Sequence, residues 1–135
     1  MTQPIAFEIA LQASYDDAIE RVTTALKAEG FGILTRIDVR ATMQEKLGVE
    51  FRPYAILGAC NPPLAHRALS HNPLTGLLLP CNVTVEATAD GHSLVRIGDP
   101  AVFLNVGGFS NDAALQAVAT EARARLQRAA DALRK

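Results

Sequence analysis

The apolar positions of the chain follow two periods, which together predict an α+β fold. Period-two alternation or a short apolar run, typical of strands, occurs at residues 5–11, 33–39, 54–60, 77–88 and 94–97. A spacing of three and four residues, typical of amphipathic helices, follows Ser14 and Asn61 and fills the last quarter of the chain. Because the long helices carry a single apolar stripe, we expect an antiparallel sheet with helices packed on one face. No repeat or linker divides the chain, so residues 1–135 are interpreted as one domain.

The first helix has recognisable signals at both ends. Ser14 followed by Asp17 is a capping-box pattern at its start. Gly30 suits the left-handed conformation at its end, which would bring Phe31 back onto Leu26. We therefore expect this helix to stop at Gly30.

Three further segments have weaker or mixed signals. Thr42 begins a second capping-box pattern, and Gly48 is placed to end the short helix that follows. Ser110 or Asn111 is expected to cap the last helix. Residues 100–106 fit both a short helix and a strand, so their conformation stays open.

The strand predicted at residues 77–88 has one apolar side, to which Val85 belongs. Pro80 has no N–H to donate to a ladder, which indicates an edge position or a bulge. A two-residue turn after this strand would pair Val85 with an arginine on the buried face. We therefore expect a three-residue loop that ends at a left-handed Gly91 and pairs Val85 with Val95.

Composition and charge argue against several kinds of partner. The formal net charge is −1 and no run of like charge exceeds two residues, which is not the pattern of a protein that binds nucleic acid or an anionic membrane. Aromatic residues make up only 5% of the chain, with no tryptophan, which argues against a surface that stacks bases. No apolar run approaches the roughly 20 residues of a membrane helix, and the N-terminus lacks the basic start of a secretion signal. We expect a cytoplasmic protein with no nucleic-acid or membrane partner.

Two Cys-Asn corners frame the helix between the third and fourth strands. Cys60-Asn61 and Cys81-Asn82 each adjoin a proline and a short apolar run. In a reducing compartment both cysteines are free thiols by default. Because each borders the same helix and has small neighbours, we expect Cys60 and Cys81 to lie close together.

These corners, in the segments GACNPPLAHRAL and LLLPCNV, are followed by an Asp99-Pro100 turn and a long alanine-rich helix. In this order the chain resembles domain of unknown function family 302 over nearly its whole length. The resemblance implies a fold similar to the TATA-binding-protein class, in which a curved antiparallel sheet has helices over one face, commonly in a homodimer. It implies no activity.

The candidate ligand-binding residues at the corners are Cys60, Asn61, His66, Cys81 and Asn82. A helix start can lower the pKa of a cysteine such as Cys60, but the two prolines after Asn61 have no N–H to offer a thiolate. A buried, inert thiol is the simpler interpretation of Cys60. His66 is most simply a solvated helix residue, and the asparagines are caps and turn formers. The Cys and His spacing matches no structural metal site, and no cofactor is indicated.

No catalytic motif of recognised spacing occurs, so three classes of function remain. The preferred one is a homodimeric module that binds a small molecule near the two Asn corners. The others are a thiol redox or sulfur-handling protein that uses Cys60 and Cys81, and a structural interaction domain. A homodimer is expected because a one-layer sheet leaves edges and part of a face to be covered.

Overall fold

The computed structural model describes residues 4–135, which form one sheet with helices packed against it. The strands are β1 (Ala6–Leu11), β2 (Gly32–Asp38), β3 (Tyr54–Cys60), β4 (Cys81–Ala87) and β5 (Ser93–Gly98). The α-helices are α1 (Tyr15–Ala28), α2 (Val39–Leu47), α3 (Pro62–His71), α4 (Pro100–Phe103) and α5 (Ala113–Leu133). Two 3-10 helices span Pro73–Leu78 and Gly107–Asn111.

The sheet is antiparallel throughout, with the strand order β1-β5-β4-β3-β2. The predicted α+β class is therefore confirmed. Helices α1 and α5 pack against each other and on the sheet face that carries Val85 and Val95, both of which are fully buried. Within residues 4–135, no helix has the length and apolar character needed to cross a membrane. The apolar stripe predicted for α5 is buried at every position, namely Leu115, Val118, Ala122, Leu126, Ala129 and Leu133.

Both predicted ends of α1 are confirmed. The Ser14 Oγ accepts a hydrogen bond from the Asp17 N–H at 3.2 Å. At the other end Gly30 has a φ of +85°, and the Phe31 N–H donates to the Leu26 carbonyl oxygen at 2.9 Å. The Gly30 N–H donates a second hydrogen bond, to the Lys27 carbonyl oxygen at 3.0 Å. These two bonds form the Schellman motif, which a left-handed glycine permits.

The predicted hairpin register is also confirmed. Val85 lies opposite Val95 in the β4–β5 ladder, and Gly91 in the loop has a φ of +80°. The segment left open after Asp99 begins as α4, because the Asp99 side chain caps the Ala101 N–H.

Two predicted helix starts are wrong. Helix α2 begins at Val39 instead of Thr42, because the Asp38 carboxylate accepts from the Ala41 N–H and supplies the cap. Gly48 ends this helix in the left-handed conformation, as predicted. Helix α5 is capped by Asp112, since the predicted caps Ser110 and Asn111 lie in the preceding 3-10 helix.

The strand predicted at residues 77–88 is shorter than expected. Its first part belongs to the 3-10 helix Pro73–Leu78, which Asn72 starts by accepting from the Leu74 N–H. The prediction that Pro80 marks an edge or a bulge is wrong, because β4 is an interior strand that starts one residue later. The missing N–H of Pro80 therefore breaks no ladder bond.

Candidate functional site

The two Cys-Asn corners lie at the same end of two neighbouring strands. Strand β3 ends at Cys60, and the antiparallel β4 begins at Cys81. Asn61 is buried and caps α3, where its Oδ1 accepts from the Leu64 N–H at 3.2 Å. The chain therefore turns from β3 into α3 directly above the start of β4.

A cavity of about 300 Å³ lies at this end of the sheet. Its walls come from the end of β3, α3, the 3-10 helix Pro73–Leu78, α4 and α5. Among the described residues, none of the side chains that line it is acidic or basic. The lining residues are Phe31, Leu34, Ala59, Cys60, Asn61, Leu64, Ala65, Ala68, Leu69, Gly76, Leu79, Pro80, Cys81, Pro100, Leu104, Val118 and Ala122.

A second, smaller cavity of about 80 Å³ lies beside the first. The two share part of their walls at Leu79, Pro80 and Cys81 and at the α4 residues around Pro100. Asn82 lines only the smaller cavity. The Cys81-Asn82 corner thus contributes to both cavities.

Small residues create the larger cavity. Ala68 projects inward from α3 and Ala122 from α5, and both are almost fully buried. Gly76 and Ala59 add no side-chain bulk beyond a methyl group. Because protein interiors are otherwise closely packed, a space of this size between small side chains is a distinct feature of the fold.

Both cysteines are free thiols that line this cavity. Desolvation raises the pKa of the Cys81 thiol to about 11, and the charge of Cys60 acts in the same direction. The ladder partner of Cys81 is Ala59, the residue before Cys60, so the two cysteines point to opposite faces of the sheet. The prediction that they form a close pair is wrong, because the two strands are out of register for it.

The five candidate residues therefore separate into three groups. Cys60, Asn61 and Cys81 line the larger cavity, and Asn82 lines the smaller one. His66 is exposed on α3 and lies outside both linings. Within the described part of the chain, no group of three or more His, Cys, Asp or Glu side chains is arranged to hold a metal ion.

Most of the apolar lining was not recognised in the sequence. Phe31 was interpreted as a helix-stop contact and Ala122 as part of the α5 stripe, and both are also cavity walls. Leu69 continues the apolar spacing of α3, which predicts an inward position, but it is 42% exposed while also lining the cavity. The signal that was present is the recurrence of alanine where a core helix would normally carry leucine.

The opposite face of the sheet carries a charged cluster. Glu86 is 8% exposed and forms ion pairs with Arg52, at 2.8 Å, and with Arg96, which also pairs with Glu8. Burial opposes ionisation of Glu86, but hydrogen bonds from the two arginines outweigh it and lower the pKa of this carboxyl. The cluster is internally neutralised, so it offers no free charge to a ligand.

The chain belongs to the family named Domain of unknown function DUF302, which it matches over residues 7–133. It is similar to the crystal structure of an uncharacterized conserved DUF302 protein from Bacillus stearothermophilus, with a TM-score of 0.85 and 33% sequence identity. That likeness covers 98% of this chain and 100% of the other. No curated protein matches the chain.

Proposed function

We propose that the protein is a cytoplasmic homodimer that binds a small apolar molecule in the larger cavity. The observation that carries this proposal is a space of about 300 Å³ with an uncharged lining. Sites for small molecules are commonly concave and mostly apolar, with a few polar groups that fix the orientation of the ligand. Here the lining residues with polar side chains are Cys60, Asn61 and Cys81. The two free thiols suit a reducing compartment.

The thiol redox alternative has less support. A redox cysteine reacts as a thiolate, and the raised pKa of about 11 keeps Cys81 protonated at neutral pH. Cys60 is also out of register with Cys81 across the β3–β4 ladder. A packing or ligand-contacting role fits both residues better than disulfide exchange does.

The dimer is supported by an uncharged, apolar surface beside the cavity. Residues 72–85 and 100–111 contain no charged side chain. Within them Leu77 is 84% exposed, Leu74 61% and Val106 49%. Exposed apolar groups that lie near one another are typical of an interface. A second copy of the chain would carry the same neutral surface and meet no charge repulsion there.

The ligand-binding proposal is tested by replacing two alanines of α5 with leucine, one that lines the cavity and one that does not. Ala122 lines the cavity, whereas Ala119, one turn earlier, is 1% exposed and lies outside its lining. The side chain of Ala122→Leu has empty space to enter, so we expect its stability to change by less than about 1 kcal/mol. Ala119→Leu has none and should cost about 1–3 kcal/mol.

Mass spectrometry of the natively purified proteins then decides whether the cavity is occupied. We expect the same small molecule in near-equimolar amount from wild type and Ala119→Leu, and its loss from Ala122→Leu. Wild-type protein without a bound molecule, or equal recovery from Ala122→Leu, would contradict the proposal.

A further inference from the structure

The side chains that line the larger cavity carry no acidic or basic group, and most of them come from segments of the chain without charge. Its walls draw on residues 54–65, 72–85 and 100–111, none of which contains Asp, Glu, Lys, Arg or His. An ionic group buried without a partner is strongly unfavourable. The part of a ligand that enters this cavity is therefore uncharged.

The cavity also offers few hydrogen-bonding partners to an occupant. The Asn61 Oδ1 already accepts from the Leu64 N–H. The other polar side-chain groups among the lining residues are the Asn61 amide NH2 and the weakly hydrogen-bonding thiols of Cys60 and Cys81, and the exposed surface of the lining is almost entirely apolar. Several hydroxyl, amide or carbonyl groups on a buried ligand would lose more hydrogen bonds to water than this lining could replace. The buried part is thus hydrocarbon.

The volume of the cavity limits the size of that hydrocarbon. A cavity of about 150 Å³ holds benzene, so about 300 Å³ corresponds to roughly twelve carbon atoms. Phe31 is the single aromatic residue in the lining, which is otherwise aliphatic. The smaller cavity of about 80 Å³ shares the wall residues Leu79 and Leu104 with it. A flexible alkyl chain can adapt to an aliphatic lining of this kind by rotation about its single bonds, whereas a fused ring system cannot.

The mouth of the cavity is apolar as well. Leu34 and Leu69 line it while being 67% and 42% exposed, so the cavity reaches solvent beside them. A chain leaving the cavity would pass these leucines before its end reached water.

We propose that the ligand is the unbranched alkyl chain of an amphiphile, about twelve carbons long, with its polar head in solvent at Leu34 and Leu69. This inference rests on the proposed function and names its ligand class. The volume of the cavity and its uncharged lining select the alkyl chain, and the head group stays in water.

Calorimetric titration with alcohols and acids of six, eight, ten and twelve carbons tests the chain. We expect 1-dodecanol and dodecanoic acid to bind with Kd values within about threefold of each other. Each methylene removed should weaken binding about fourfold, the factor that corresponds to ~0.8 kcal/mol. Ala122→Leu should weaken dodecanol binding at least tenfold, whereas Ala119→Leu should leave it unchanged.

A second variant tests the position of the head group without altering the core. Leu69 is exposed at the mouth, so Leu69→Lys is expected to fold and to place a cation near the head. It should tighten dodecanoic acid binding relative to dodecanol by about fivefold, a preference that wild type lacks. An unchanged ratio would contradict a head group at the mouth.

Vesicles of phosphatidylcholine distinguish a free amphiphile from a bilayer lipid as the source of the chain. Co-sedimentation that is lost in Ala122→Leu assigns the chain to a bilayer lipid. Dodecanol binding without co-sedimentation assigns it to a free amphiphile. Both outcomes support an alkyl chain as the ligand. Absence of binding by every chain, or binding independent of chain length, overturns it. If an aromatic or charged molecule is instead recovered from the native protein and lost in Ala122→Leu, the ligand-binding function stands and the alkyl class fails.

Discussion

Pro80 packs directly against Gly58 across the β3–β4 boundary. A Cβ at Gly58 would lie 2.8 Å from the Pro80 Cγ and would also collide with the Thr35 Oγ1. Because Gly58 has no side chain, Thr35 of β2 and Pro80, which precedes β4, can both approach β3 at this point. Since Pro80 is part of the cavity wall, this contact also positions the wall.

Replacing Gly58 by alanine should destabilise the fold. Neither the Pro80 ring nor the short Thr35 side chain can move away freely, so we expect Gly58→Ala to cost about 1–3 kcal/mol in urea unfolding. Gly32→Ala is the matched control, because no atom lies within 4 Å of a Cβ at that strand glycine. The control should be neutral or stabilise by up to about 1 kcal/mol. Equal losses in both variants would show that the contact with Pro80 is unimportant.

The ends of α1 and the β4–β5 register were predictable because each depends on a few neighbouring residues. Gly30 and Phe31 define the end of the helix locally. Val85 and Val95 must both face the core, and only one of the two loop lengths considered pairs them. The caps of α2 and α5 were predicted incorrectly because several candidate cap residues stand close together. In such a case tertiary packing decides which of them is used.

The cavity was not predictable in the same way. The Cys-Asn corners indicate the end of the sheet at which the cavity lies, and Cys60, Asn61 and Cys81 are among the residues that line it. Its remaining walls come from distant parts of the chain, from Phe31 to Ala122. Period and spacing show that Ala122 faces the core, but only the packing of α3 against α5 leaves a gap beside it.

Asp99 connects the end of β5 to α5 through two interactions. It is 3% exposed, its Oδ1 accepts from the Ala101 N–H at 2.9 Å, and its Oδ2 accepts from the Arg123 Nε at 3.1 Å. Asp99→Ala removes the cap of α4, so we expect a loss of about 1–3 kcal/mol in thermal unfolding. Asp131→Ala, which breaks an exposed pair with Arg134, should change stability by less than about 0.5 kcal/mol. Similar effects of the two variants would show that the hydrogen bonds of Asp99 to Ala101 and Arg123 contribute little to stability.

The proposed dimer is tested at Leu77. This side chain is 84% exposed on the uncharged surface beside the cavity, so Leu77→Lys would introduce a charge into each half of the interface. We expect light scattering to give twice the chain mass for wild type and the mass of one chain for Leu77→Lys at micromolar concentration. Leu47→Lys is the control, since Leu47 is 68% exposed on α2, away from that surface, and should leave the dimer intact. A monomeric wild type at high micromolar concentration would contradict the dimer.

Cys81 should make stability depend on alkaline pH. Desolvation raises the pKa of this thiol in the fold from its ordinary value of 9.0 to about 11, so the folded state holds the proton more tightly than the unfolded chain. The resulting stabilisation is fully present below pH 9 and is lost as the pH rises towards 11. Two pKa units correspond to on the order of 2–3 kcal/mol.

Urea unfolding of wild type and Cys81→Ala at pH 8 and pH 10.5 measures this effect. Lysine and tyrosine titrations occur in both proteins and cancel in the difference, so the advantage of wild type over Cys81→Ala should shrink as the pH rises. Alkylation gives an independent check in the Cys60→Ala variant, where Cys81 is the remaining thiol. At pH 8 native Cys81 should carry roughly 100-fold less thiolate than an ordinary thiol, and its reaction rate should still be increasing at pH 10. A rate that levels off below pH 9 would mean that Cys81 is an activated thiol, and it would favour the thiol redox function.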